Sequence, residues 1–368
     1  MRCARVLLSA FLFSAFAVGV SAGDIAVGIV LPTKDEPRWI QDEIRFQALK
    51  AAGYNIDILF SQGDSATEKA NVDALIAEGA RVLIICPQDG QAAAAAAEAA
   101  RSAGVKVISY DRLIRDTAAV DYYVTFDSSQ VGASWGHFLA NRATGKGNNL
   151  YLYAGAASDN NAFLFFAGAW SVLQPKIADG TFIVRNSSEA VALRGKTELT
   201  RDEEARVINQ ITTNWNANDA KGKAEANLAS ASRTMKGNVF ICAPNDGTAR
   251  AIGDAFAMDK DVKTYYITGQ DAEKASIQYI LDGKQSMTVL KDVRSLVIDA
   301  IAAAVAYLKG GVPLQTMTYN NGEVNVPARP TDITTVTRSN VRNTILATGY
   351  YKASDFKNLP RKPKAPKS

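Results

Sequence analysis

"VKVISYDRLIRDTAAVDYYVTFDSSQVG", Val105 to Gly132, decides how this chain is to be read. An apolar run climbs to Tyr110 and stops on the adjacent pair Asp111–Arg112. A second run, "YYVTFD", stops on Asp127. Short apolar runs without in/out alternation belong to strands covered on both faces, as in a parallel sheet. Parallel strands need helices between them, and the flanking sequence supplies them. "IAVGIVLP" is followed by "RWIQDEIRFQALKAAG", a predicted helix with Trp39, Ile40, Ile44 and Leu49 roughly on one face and Gly53 as its stop. "YNIDILFS", "ATEKANVDALIAEG", "RVLIICP" and an alanine-rich helix from Ala92 continue the alternation.

A second series of the same kind begins at "NNLYLYAG". It runs through "NAFLFFAGAWSVLQPKIADG", "TFIVRN", "KAEANLASASR", "NVFICAP", "TARAIGDAFAM", "TYYITG", "AEKASIQYILDG" and "SMTVL". "VLIICPQDG" and "VFICAPNDG" echo each other, each leaving a strand through Pro, a polar residue, Asp and Gly. The reading is an α/β protein of two Rossmann-like lobes with parallel central sheets. The polar stretch Glu189–Asn214 is only loosely periodic and reads as an insertion on the second lobe, without an assigned role.

The ends differ from the body. Arg2 and Arg5 precede "VLLSAFLFSAFAVGV" and then "SAG", the form of an export signal over residues 1–22, cleaved near Ala22–Gly23. Cys3 lies ahead of that apolar run and Gly23–Asp24 follow it, so a lipid-anchored form is not expected. Cys86 and Cys242 sit inside strand-like runs. A disulfide is open to them in an oxidising compartment, but two separate buried thiols are the expectation. The formal charge of +4 is misleading, because the signal carries two of those charges and the last eight residues, "RKPKAPKS", carry four. The remaining core is slightly acidic, which does not suit a nucleic-acid binder. The tail, residues 360–368, is expected to be disordered.

Ligands in open parallel sheets sit at the carboxyl ends of strands, where loops converge and helix N-termini point inward. The residues at those ends are Lys34, Asp35, Arg38 and Trp39; Asp111 and Arg112; Ser158, Asp159, Asn160 and Asn161; Asn245 and Asp246; Gln270 and Asp271; Lys291, Asp292 and Arg294. Trp215 stands alone in "TNWNAND". Carboxylates and amides exchange hydrogen bonds with neutral hydroxyls, Arg and Lys donate to oxygens, and an indole covers the C–H face of a pyranose. Those are the demands of a sugar. Taken singly, each acid could as well cap a helix and each Arg pair with a neighbour. No metal-ligand pattern and no cofactor motif is present. His137, the sole histidine, sits within a helical pattern and reads as structural.

Taken together, "PTKDEPRWI", "VISYDRLIRDTAAVDYYVTFD", "SDNNAFLFFAGAWSVL", "ITGQDAEKASI", "SMTVLKDVR" and "TGYYKASDF" resemble the periplasmic sugar-binding proteins of ABC importers, in the ribose, galactose and xylose group (periplasmic binding protein type I). The likeness is strongest to the multiple-monosaccharide receptors, then to the xylose-binding proteins. It implies two lobes joined by a three-strand hinge, residues 24–127 with 292–324 forming the first and 128–291 with 325–359 the second. It also implies an aldopyranose ligand, a membrane permease as partner and a sensor kinase or chemoreceptor as a further one. A monomeric, non-catalytic receptor without cofactor or metal is expected. By resemblance, Arg38 and Trp39 supply a donor and a stacking ring, Asp111 and Arg112 grip hydroxyls, and Asp159, Asn160 and Asn161 form the first ligand loop of the second lobe. Asn245, Asp271 and Lys291 make later polar contacts and Trp215 is a second aromatic wall. Phe163 stands where ribose- and galactose-type members carry an arginine, which favours pyranoses.

Two other classes were weighed on the residues. A sugar-sensing repressor shares the fold but needs an N-terminal DNA-binding region where this chain has an export signal. A hydrolase using Asp111 and Asp271 is disfavoured because carboxylates beside Arg112 and Lys291 stay ionised, which suits binding better than acid catalysis.

Overall fold

The computed structural model describes residues 26–361. The expected export signal and nearly all of the basic tail lie outside the described residues. The chain runs β1 (Val27–Leu31), α1 (Pro37–Ala51), β2 (Ile56–Phe60), α2 (Ser65–Ala77), β3 (Val82–Ile85), α3 (Ala94–Ser102), β4 (Lys106–Tyr110) and β5 (Tyr122–Phe126). It continues with α4 (Ser128–Ala140), β6 (Asn148–Leu152), α5 (Asn160–Ala178), β7 (Phe182–Val184), α6 (Ser188–Ala192), α7 (Arg201–Ile211), α8 (Ala217–Ser230), β8 (Gly237–Cys242), α9 (Asp246–Met258), β9 (Val262–Ile267), α10 (Lys274–Asp282) and β10 (Met287–Lys291). The last elements are α11 (Val293–Leu308), β11 (Met317–Asn320), β12 (Asn325–Thr331) and β13 (Ile333–Thr337).

Two sheets result. The first has the order β11-β12-β5-β4-β3-β1-β2 and is parallel except for the β11–β12 hairpin. Its strands β1, β3 and β5 are buried along their whole length because helices cover both faces. Trp39 and Phe46 of α1 pack with Leu296, Val297 and Ala300 of α11 on one side. Val72 and Leu75 of α2 pack with Ala96, Ala97 and Ala100 of α3 on the other. The second lobe carries the parallel order β7-β6-β8-β9, and beside it the antiparallel pair β10–β13. Val289 N–H donates to Gly269 O at 3.0 Å and so ties β10 to the chain leaving β9.

Three segments pass between the lobes: β5 into α4, β10 into α11, and β12 into β13. The third differs in place from the sequence reading, which put the boundary at Asn325. Ala328–Thr331 pair in parallel with Tyr123–Phe126, so β12 belongs to the first sheet and the chain leaves it only at Asp332. The polar character of "NVPARPT" hides this. It is a strand near the sheet edge with a proline on each side of Ala328, not a continuous apolar run.

Two further readings change. Ile40 and Ile44 of α1 are exposed, and the buried face is Arg38, Trp39, Asp42 and Phe46. An amphipathic count fails there because the helix buries an ion pair instead of an apolar stripe. The stretch 189–214 is not an appended insertion. A capping box, Thr200 with Glu203, starts α7, and Val207, Ile208 and Ile211 are fully buried in the second lobe's core.

Candidate functional site

Helix N-termini and strand ends of both lobes converge on one small cavity between the lobes. From the first lobe comes the first turn of α1, opened by Glu36 with Pro37 at its start, where no N–H is needed. Arg38 is held from behind: its Nε donates to Asp42 Oδ2 at 2.7 Å and its Nη2 to Asp42 Oδ1 at 3.2 Å. Tyr110 in turn donates its hydroxyl to Asp42. The front of the guanidinium meets Asp111 Oδ2 at 3.0 Å and approaches Asp271 Oδ1 at 3.7 Å. Burial opposes the charge on Arg38, but Asp42, Asp111 and Asp271 outweigh it and hold its pKa well above the ordinary arginine value.

Asp111 follows β4 in a left-handed conformation, φ 57°. Three donors fix its carbonyl oxygen: Tyr123 Oη at 2.7 Å, Asn161 Nδ2 at 2.9 Å and Thr125 Oγ1 at 3.1 Å. Asp271, after β9, is also left-handed, φ 94°, and its N–H donates to Val289 O at 2.8 Å. Non-glycine residues in this region cost energy and collect at ligand sites, where surrounding contacts over-determine them. Lys291, at the end of β10, lies 3.0 Å from Asp271 Oδ1 and 3.8 Å from Asp111 Oδ2. Burial raises the Asp111 pKa, but Lys291, Arg38 and Arg112 together outweigh it and the carboxyl stays below its usual range.

Arg112 bridges the lobes. Its Nη2 meets Glu36 Oε1 at 2.9 Å and its Nε meets Asp159 Oδ2 of the second lobe at 3.2 Å. Trp39 lies between two guanidinium groups, Arg38 and Arg112 each being 5.0 Å from its ring. Burial pushes the Asp159 carboxyl up to about 6, with Arg112 pulling it back.

In the second lobe Asp159 caps α5 through the Asn161 N–H, 2.8 Å, and Asn245 caps α9 through the Thr248 N–H, 3.2 Å. Trp215 is set by two successive left-handed residues, Asn214 (φ 51°) and Trp215 itself (φ 59°). Its indole lies on Gly155, where a Cβ would overlap the ring carbons, and meets Phe165 edge to face at 6.2 Å between centroids. Gly155 is required by this close approach, not by its backbone angle.

Of the eleven residues singled out in the sequence, ten line the cavity: Arg38, Trp39, Asp111, Arg112, Asp159, Asn161, Trp215, Asn245, Asp271 and Lys291. Asn160 does not. Its amide oxygen instead receives Arg115 Nη1 of the first lobe at 2.9 Å and Arg201 Nη1 of α7 at 3.0 Å, a clasp across the lobe boundary. Glu36, Phe165 and Gln270 line the cavity as well. Gln270 stood beside Asp271 in the same strand end and Phe165 one helical turn after Asn161, so both were within reach of the sequence; Glu36 was hidden as a helix cap. Phe163 lies under the Arg201 guanidinium, 3.1 Å from its ring centroid, and is absent from the cavity lining. His137 is exposed on α4. Cys86 and Cys242 are buried and unpaired with each other. Among the described residues no helix is long and apolar enough to cross a membrane.

Five buried polar atoms in the lining have no hydrogen-bond partner: Arg38 Nη1, Trp39 Nε1, Trp215 Nε1, Gln270 Oε1 and Asp271 Oδ1. Asp271 Oδ1 is close to Lys291, but the approach is not directed as a hydrogen bond. Three donors and two acceptors therefore face one small space. Each such group costs about 1–3 kcal/mol while unmet.

Residues 27–311 match the model of the periplasmic binding protein domain. The chain is 35% identical to the multiple sugar-binding periplasmic protein SbpA of Azospirillum brasilense, over 90% of this chain and 91% of the relative. It is 33% identical to the multiple sugar-binding periplasmic receptor ChvE of Rhizobium radiobacter, over 90% and 92%. A solved carbohydrate-transporter solute-binding protein of Chloroflexus aurantiacus, in complex with D-glucose, is 70% identical, with a TM-score of 0.90 over 92% of this chain and 99% of that one.

Proposed function

Because the chain belongs to the periplasmic binding protein family, we propose that it is an exported receptor that closes its lobes on one neutral monosaccharide and hands it to an ABC-importer permease. The observation that carries this reading is the set of five unmet buried atoms in the lining of one inter-lobe cavity. A hydroxyl both donates and accepts, so a polyol ring can meet three donors and two acceptors at once. A cation or an anion could satisfy only one sign of partner.

The aromatic groups fit the same ligand. Trp215 offers a flat ring with an N–H at its edge, which suits a ring with C–H faces and a hydroxyl rim, while Trp39, its ring taken by Arg38 and Arg112, adds an unmet N–H. The charges are spent on each other: Arg38 on Asp42 and Asp111, Arg112 on Glu36 and Asp159, Lys291 on Asp271. Each pair still offers lone pairs or N–H groups, and charge-assisted hydrogen bonds to hydroxyls are strong in a closed cleft. Asp111, held ionised, is an acceptor and not a general acid, which argues for binding without turnover. D-Glucose is the first sugar to test, with galactose, xylose and arabinose beside it.

Isothermal titration with these aldoses is the experiment. Dissociation constants near the micromolar range, on the order of −7 to −10 kcal/mol, with the sugar recovered unchanged, are expected. Absence of heat with every pentose and hexose, or conversion of the bound sugar, overturns the proposal.

A further inference from the structure

The cavity is not the whole of the inter-lobe space. A wider groove adjoins it and shares Glu36, Trp215 and Asn245 with its lining. Its first-lobe wall includes Gln88, and its second-lobe wall Asn214, Asn218, Arg250 and Glu273.

Of the charged residues lining that groove, only the exposed Asp35 stands outside an ion pair. Arg250 is taken by Glu273 at 2.7 Å and Glu36 by Arg112 at 2.9 Å. What remains is mostly side-chain amide, a group that trades hydrogen bonds with hydroxyls in both directions. Gln88 Oε1 is buried without a hydrogen-bond partner, an acceptor that a hydroxyl in the groove would meet. Trp215 belongs to both linings, so the two spaces adjoin at its indole.

Resting on the receptor reading above, we propose that the site extends to glycosides: the terminal ring of a neutral disaccharide occupies the cavity and the next ring lies in the amide-lined groove. A substituent leaving the bound ring on the Trp215 side continues into open, hydrogen-bonding space.

The test is calorimetric titration of the full exported chain with D-glucose, the methyl α- and β-glucosides, maltose, cellobiose and isomaltose, repeated on the Gln88→Ala, Asn218→Ala double variant. Gln88 Oε1 has no hydrogen-bond partner to lose, and Asn218 is an exposed residue in the first turn of α8 that is held there through its backbone N–H to Asn216 Oδ1, which alanine keeps. At least one disaccharide is expected within thirtyfold of D-glucose, and the variant is expected to weaken it at least fivefold while moving D-glucose less than twofold. The proposal is overturned if every disaccharide binds more than thirtyfold more weakly than D-glucose, or if the variant shifts both sugars alike. Loss of all monosaccharide binding would overturn the receptor reading itself, and this extension with it.

Discussion

Gly155→Ala isolates the second aromatic wall. Gly155 follows β6 and is buried, and its backbone is one that alanine adopts without strain, since φ is not positive. A Cβ there overlaps Cζ2, Cη2 and Cε2 of Trp215. Carbon atoms settle at about 3.5–4.0 Å, so the indole has to retreat by roughly 1.5 Å. Phe165 stands on one side of the ring, which leaves the inter-lobe cavity as the direction of escape. Overpacking of this kind costs about 1–3 kcal/mol. Charged to the bound state, that is a factor of about 5 to 150 in affinity. Calorimetry should show D-glucose at least tenfold weaker. The melting temperature should fall by no more than about 2–4 °C per kcal/mol of native-state strain. Trp215→Gly, which keeps the positive φ, should weaken the sugar comparably, and adding Gly155→Ala to it should cost nothing further. Affinity within threefold of wild type in Gly155→Ala, or additive losses in the double variant, would show that Trp215 does not wall the ligand.

Arg112→Lys should lower sugar affinity at least tenfold, because a point charge cannot serve Glu36, Asp159 and the Trp39 face together; equal affinity by titration would remove Arg112 from the site. Arg112→Ala should instead lower the melting temperature as well, since it leaves Glu36 and the buried Asp159 without their cation. Asn160→Ala and Arg201→Ala should weaken every sugar by the same factor, about three- to tenfold, and the double variant should lose no more than either; sugar-dependent losses across a titration panel would mean that Asn160 touches ligand. Burial raises the Glu68 carboxyl from 4.5 to about 7, against a hydrogen bond from Gln88 N–H that lowers it. Its contribution to stability is therefore fully present below about pH 4.5 and lost as pH rises through 7, on the order of 3 kcal/mol. The melting temperature should fall from pH 5 to pH 8, and Glu68→Gln should flatten that slope; an unchanged slope would refute the assignment.

Strand ends such as those at Asp111 and Asn245 were legible because their sheets are parallel. A covered strand is an unbroken apolar run, so the polar residue that follows it is conspicuous. What the sequence hid was the use of charge in place of apolar packing. Asp42 sits one turn from Arg38 on a face that an amphipathic count assigns to solvent, yet it is fully buried because Arg38 and Tyr110 satisfy it. The strand β12 was concealed by its prolines, and α7 by a polar face that outweighs its three buried residues in any average. Asn160 shows the limit of reading by resemblance: its neighbour Asn161 faces the cavity, and a step of one along the helix turns Asn160 to the clasp.

A crystal structure of the protein grown with D-glucose tests the central claim most directly. The account predicts one pyranose ring in the inter-lobe cavity, with ring or hydroxyl oxygens within hydrogen-bond distance of Arg38 Nη1, Asp271 Oδ1, Gln270 Oε1 and the indole nitrogens of Trp39 and Trp215. A sugar bound elsewhere, or in the cavity with those five atoms still unmet, would contradict it.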